Sequence, residues 1–237
     1  FSKFAVAYKS GKKYKIISNT RYITNPEKIA GYKGKYPKTY SKKGLQVENY
    51  GDAVDLGVQH TVINITLNSI IADKGTGDAY RYKGTTYYFN GPMLSYYDQI
   101  VGDYNRMGSS VTAILLLRNA EDSRLNPLRF RGSDQAFYSS INTGSKKACR
   151  TFEAIMTYLA SRYGQKSHLI SGWILGNELG NTKEWNYAGG KSLSSYMDSY
   201  VRAFRICHTA VKSVNRHAHV YLSLDYFWNR DLDDGGT

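Results

Sequence analysis

The chain has 237 residues, 41% of them apolar, enough for one domain with a sizeable core. No apolar run approaches the about 18 residues a membrane span needs, and no basic-then-apolar leader opens the sequence. A net charge of +13 reads either as a merely solvated surface or as a sign of an acidic polysaccharide, an anionic membrane surface or a nucleic acid as partner. The basic residues are spread along the chain, densest at 9–15 and 33–43, and no helix carries a continuous basic stripe, which argues against a nucleic-acid groove binder.

Residues 1–40 read as strand and turn. "FAVAY" and "YKIIS" flank the hairpin-like turn "KSGKK", and Pro26 ends a third extended run. Residues 31–44 read as loop. From residue 45 the pattern becomes an alternation of helix and strand. A short helix over 47–56 is capped by Gly57, and "VQHTVINI" (58–65) reads as a buried strand. A hairpin turning at Lys83-Gly84 follows. A helix then starts near Pro92, with Leu94, Tyr97, Val101 and Tyr104 on one face, and leads to the strand "SVTAILLL" (110–117). After a polar loop, Cys149, Phe152, Met156, Leu159 and Tyr163 recur at helical spacing, before the strand "HLISGWIL" (168–175). The last pair is a helix over 192–214, with Met197, Tyr200, Val201, Phe204, Cys207, His208 and Val211 on one side, and the strand "HVYLSL" (219–224).

Alternation at this spacing implies βαβ units and a parallel sheet. Neither G-x-G-x-x-G nor G-x-x-x-x-G-K-[ST] occurs, so no phosphate-binding loop follows a strand and no nucleotide cofactor is indicated. The expected fold is therefore an α/β barrel of the (β/α)8 type, of which the chain supplies five β/α units. Residues 1–40 form a β-rich segment, open to including the first barrel strand, and 41–237 form the incomplete barrel.

The segment "SGWILGNELGN" (171–181) carries the chemistry. A strand delivers Gly176-Asn177-Glu178 at its C-terminal end, the end of a barrel where reacting groups sit. Alternation turns Ile174, Gly176 and Glu178 toward the barrel axis and Trp173 and Leu175 toward the helices. Glu178 reads either as a catalytic carboxylate or as a structural group capping the next loop. Here the sequence resembles the clan A glycoside hydrolases, in which an Asn-Glu pair ends the fourth barrel strand. "VQHTVINI" counts as strand two and "SVTAILLL" as strand three, so "HLISGWIL" is the fourth. Most of the chain is also similar to an uncharacterised family of secreted bacterial domains placed near this clan. The resemblance implies Glu178 as general acid/base, Asn177 as a ligand of the sugar 2-hydroxyl, and an extracellular or cell-surface location. It departs from the clan at Asn64, where an arginine is usual at the end of strand two. The clan's nucleophile ends strand seven, which this chain does not reach. A retaining enzyme needs two carboxylates about 5–5.5 Å apart, so the second is expected outside the chain.

Other candidates surround the same end. Asn64 and Arg118, ending strands two and three, can bind substrate hydroxyls or hold the rim by hydrogen bonds. On strand five, Val220, Leu222 and Leu224 should face the helices, with Tyr221, Ser223 and Asp225 facing the axis, which puts Asp225 at the reacting face. Trp185 and Trp228, in the loops after strands four and five, can stack on sugars or pin their loops. No metal site is indicated: His217 and His219 lie at the opposite face, His208 lies within a helix, and "DLDDGGT" (231–237) lacks the full calcium-loop pattern. Cys149 and Cys207 fall about ten residues apart in depth on neighbouring helices and are expected to be unbonded thiols. The expected function is hydrolysis of an oligo- or polysaccharide with retention. The alternative is a non-catalytic carbohydrate-binding or cell-surface module on the same barrel. Phe1 is not an initiator, so the chain reads as cut from something longer. Its open sheet edges would need the rest of the barrel or a partner, and alone it is expected to be inactive.

Overall fold

The structure is a computed structural model that describes residues 1–46, 49–132 and 135–225. Trp228 and the stretch 231–237 lie outside the described residues. Near the N-terminus, β1 (Ala7–Ser10) and β2 (Lys13–Ile16) form an antiparallel hairpin that is exposed throughout. A 3₁₀ turn at Pro26–Ile29 follows, and Tyr32 docks on the end of the last helix through a hydrogen bond from its amide to the Val214 carbonyl (3.0 Å).

The central sheet has five parallel strands in chain order: β3 (Gly44–Gln46), β4 (His60–Thr66), β7 (Ser110–Leu116), β9 (His168–Leu175) and β10 (His219–Tyr221). The connections carry α1 (Tyr50–Asp55), the single turn α2 (Leu67–Ile70), α3 (Gly91–Arg106), α4 (Lys146–Tyr163) and α5 (Leu193–Val214). Between α2 and α3 lies the hairpin of β5 (Asp78–Tyr82) and β6 (Thr85–Phe89), turning at Lys83-Gly84 with φ of 45° and 83°. A two-residue strand, β8 (Gly164–Gln165), pairs with the start of β9. A doubly wound sheet reverses its strand order at a switch point. Here the order runs β3-β4-β7-β9-β10 without reversal. This is the arrangement of the first five units of a (β/α)8 barrel, and among the described residues β3 and β10 do not pair to close it.

The first barrel strand is β3, which starts at Gly44, the last residue of the stretch that reads as loop in the sequence. At three residues, Gly-Leu-Gln, it has no β-branched residue and is too short for alternation to register. Side chains alternate as the pleat requires. Ile63, Ile65, Val111, Ala113, Leu115, Leu117, Trp173 and Leu175 pack in one core with Leu94, Val101, Phe152, Met156 and Leu159 from the helices. Val62, Asn64 and Thr66 alternate with them on the axis side of β4 and are partly exposed. Gly172 leaves room where β9 pairs with β7, since a Cβ there would lie 2.4 Å from Thr112 Oγ1.

Two expectations about side-chain placement need correcting. On α5 the buried face is Tyr196, Tyr200, Ala203, Ile206, Cys207, Ala210 and Val211, whereas Met197 and Val201 are each 44% exposed. Ala203 and Ala210 are small residues that a stripe of large apolar side chains overlooks. The hydroxyls of Tyr196 and Tyr200 donate to the Leu179 and Leu175 carbonyls (3.1 and 2.9 Å), which turns that face inward. After β10, Leu222 and Leu224 do not meet helices and are 49% and 50% exposed. The strand stops at Tyr221, and β10 has a paired neighbour on one side only. No helix among the described residues is long and apolar enough to cross a membrane.

Candidate active site

Parallel pairing puts the C-terminal ends of β4, β7, β9 and β10 at one end of the sheet. The Gly176 amide donates to the Leu115 carbonyl (3.0 Å), extending the ladder one step past β9. The backbone then turns. Gly176 has φ of 74°, and a Cβ there would lie 3.1 Å from Asn186 Oδ1. Glu178 has φ of 48°. Apart from Lys83 at the hairpin tip, it is the one non-glycine residue with positive φ among the described residues. Such a backbone is uncommon for a side-chain-bearing residue and persists where the surroundings enforce it. The enforcement is visible. The Asn181 amide donates to the Glu178 carbonyl (2.8 Å), closing a tight turn, and the Leu179 amide donates to the Ser223 carbonyl (3.0 Å), tying that turn to the chain after β10.

Asn177 and Asp225 complete the group. Ser223 Oγ donates to Asn177 Oδ1 (3.2 Å). With its oxygen so occupied, the Asn177 amide turns its N–H toward Glu178. Burial and then the nearby Asp225 carboxylate push the Glu178 carboxyl above its usual range, against smaller opposing effects of the Asn177 and Asn181 side chains. Asp225 is 8% exposed. The site therefore holds a half-buried acid that keeps its proton to higher pH than an ordinary glutamate, beside a second carboxylate and an oriented amide.

The remaining sequence candidates are placed differently. Asn64 lies two residues before the end of β4, where its side-chain oxygen accepts from Gln46 Nε2 (3.2 Å) and its carbonyl from the Tyr97 hydroxyl (2.9 Å). Arg118 follows β7, exposed, with its amide donating to Asn68 Oδ1 (2.8 Å). Trp185 stacks on Tyr138 (5.7 Å, 26°) and tilts against Phe137 (5.5 Å), so it joins the loops after β7 and β9. Among the described residues no three His, Cys, Asp or Glu side chains gather as metal ligands. Both cysteines are free; Cys207 is fully buried, and half-buried Cys149 gives its thiol to the Thr143 carbonyl (3.4 Å).

Sequence reading misses a polar cluster across the loops after β4 and β7. Arg124 grips Asp122 (2.7 Å) and donates to the Ile71 carbonyl (2.7 Å), while Asn68 Nδ2 donates to Asp122 (3.1 Å). This contact holds the Asp122 carboxyl below its usual range. It also misses a cavity of about 820 Å³ between the loops after β7 and β9, lined by residues other than Glu178, Asn177 and Asp225. Pairs 50 or more residues apart, in loops without periodicity, give no sequence signal.

Fold and site together define a barrel-type α/β domain with a carboxylate-bearing strand end. Residues 35–236 match a family of unknown function, DUF5722, and the chain belongs to that family. No curated protein matches the sequence. Similar solved structures include the endoglucanase Cel5A of Pseudomonas stutzeri, at 11% identity and a TM-score of 0.45, covering 73% of this chain and 41% of that one. A β-glycosidase of Thermosphaera aggregans gives 16% and 0.46, with coverage of 73% and 41%. Cel5A of Thermotoga maritima, solved with cellobiose, gives 13% and 0.44, with coverage of 83% and 52%. The chain thus spans 41–52% of the length of these structures.

Proposed function

We propose that the protein is a glycoside hydrolase acting on an oligo- or polysaccharide, with Glu178 as general acid/base. The observation that carries this reading is the Glu178 carboxyl itself, fixed in a left-handed backbone at the strand end and pushed up by burial and by Asp225. A general acid must hold its proton near the working pH, and an environment of this kind makes a glutamate do so. Glu178 protonates the leaving glycosidic oxygen and then takes a proton from the attacking water. Asn177, oriented by Ser223, is placed to bind a sugar hydroxyl. The mechanism is retaining, and its nucleophile is a second carboxylate outside the five strands described. The tyrosine-rich, basic composition suits work outside the cell.

The test is a screen of the protein in its full natural length, and of Glu178→Gln in the same form, against a panel of polysaccharides by reducing-end release. A wild type that cleaves, with a loss of about 10²–10⁴-fold in the variant, supports the reading. Equal cleavage by both removes it, and binding without cleavage by both favours a carbohydrate-binding module.

A further inference from the structure

The cavity of about 820 Å³ lies where the loop after β7 meets the loop after β9 and the first turns of α4 and α5. Ser145, the N-cap of α4, is in its wall, and so is Ser195 in the first turn of α5. Four cations, Arg129, Arg131, Lys191 and Arg202, line it against one carboxylate, Asp198. Arg129 is the unusual member. Its side chain is only 9% exposed; Nη2 pairs with Glu121, and Nε is buried with no hydrogen-bond partner. Held in place by burial and by Glu121, Arg129 is a fixed cation in the wall. Two helix N-termini add positive potential at the same place. On the other side of Pro127, a second cavity of about 500 Å³ is lined by Arg124, Lys146, Lys147 and Arg150 and by no carboxylate.

We propose that these two cavities bind the anionic substituents, carboxylate or sulfate, of an acidic polysaccharide. The choice of a polysaccharide rests on the glycosidase reading. The volume of the larger cavity falls in the range of small-molecule sites, about 300–1,000 Å³. Asn126, Asn142, Ser145 and Ser195 stand among its cations and suit sugar hydroxyls. Phe130, the aromatic ring in its wall, is buried and gives no platform for stacking a nucleobase. The cavity also adjoins the Glu178 loop. The amides of Phe137 and Tyr138 donate to the Glu184 carbonyl (2.8 and 3.1 Å), and that of Ser140 to the Tyr187 carbonyl (2.9 Å), so the two loops are bonded to each other.

The test is affinity electrophoresis of the protein in gels containing polygalacturonate, heparin, neutral laminarin or duplex DNA, at about 0.15 M salt, where long-range attraction is screened. Three forms are compared with wild type: Arg131→Ala/Lys191→Ala at the exposed mouth of the cavity, Arg129→Gln within it, and Lys13→Ala/Lys15→Ala on the distant β1–β2 hairpin as a charge-matched control. Retention by polygalacturonate, by heparin or by both, weakened about tenfold or more in Arg131→Ala/Lys191→Ala and unchanged in the control, is the expected result. The polymer retained distinguishes carboxylate from sulfate. Equal weakening in both double variants, or retention by DNA that matches the acidic glycans, overturns the proposal. Arg129→Gln is read only if its melting temperature matches wild type; the mouth variant decides otherwise. Each form is repeated in Glu178→Gln. Retention there, with the cleavage shown by wild type lost, supports both readings. Cleavage that survives Glu178→Gln sinks the catalytic assignment alone, and cleavage of a neutral glycan without acidic-glycan retention sinks the cavity alone.

Discussion

Glu178 shows how one residue's chemistry depends on neighbours far away in sequence. Its carboxyl is raised by burial first and by Asp225 second. Removing the second cause while keeping the shape, in Asp225→Asn, is expected to lower the Glu178 pKa and to move the alkaline limb of any pH–rate profile to lower pH. Carbon-13 NMR titration of the side-chain carboxyl reads this without an activity assay, and an unmoved titration would show that Asp225 does not act on Glu178. Stability carries a matching signature. The usual value is 4.5, and the folded value lies above it. Below pH 4.5 folded and unfolded chains both hold the proton. As pH rises through the folded value, the native state must ionise a carboxyl it prefers protonated, so stability is lost across that window. Glu178→Gln has no such proton to lose. Its melting temperature should gain on that of wild type as pH climbs from about 4.5, and then level off. A pH-independent difference would contradict the raised pKa.

At the scale of elements, β9 serves both the core and the site. Trp173 is 1% exposed and packs on the helix side, while the same strand ends in the Glu178 turn. Trp173→Ala should cost about 3–5 kcal/mol, the usual result of removing a buried aromatic, as read by urea denaturation. A cost under about 1 kcal/mol would mean the ring is not packed as described. The helices are tied laterally as well. Arg162 of α4 makes a two-pronged contact to Asp98 of α3, and both side chains are largely buried. Such paired hydrogen bonds fix geometry as well as contributing energy, so α3 and α4 are held in register against the sheet that carries the site.

For the whole molecule, the central question is the edge of the sheet. Among the described residues β3 and β10 each pair on one side only, and an unpaired strand edge is a template for another chain. Directly after β10 come Leu222 and Leu224, both about half exposed. The 237 residues taken by themselves are expected to self-associate through this edge. Leu222→Lys/Leu224→Lys should shift light scattering toward the monomer, because charge on an edge blocks strand addition. A wild type that is monomeric at high concentration would show that this edge is already covered.

The sequence by itself determined the helix–strand alternation from 60 to 221, the placement of Leu94, Tyr97, Val101 and Tyr104 in the core, and the ordinal of the strand that ends in Asn177-Glu178. Those signals are local: periodicity, caps such as Ser145 and Ser192, and turn glycines act within a few residues. Tertiary structure alone decided the rest. β3 exists because β4 offers its edge, α5 turns its alanines inward because α4 lies beside it, and Trp185 is held between loops by Tyr138 and Phe137. The raised Glu178 carboxyl and the cation-lined cavity belong to the same category. Each depends on desolvation and charge from residues that only folding brings together, and neither quantity is a property of any short stretch of chain.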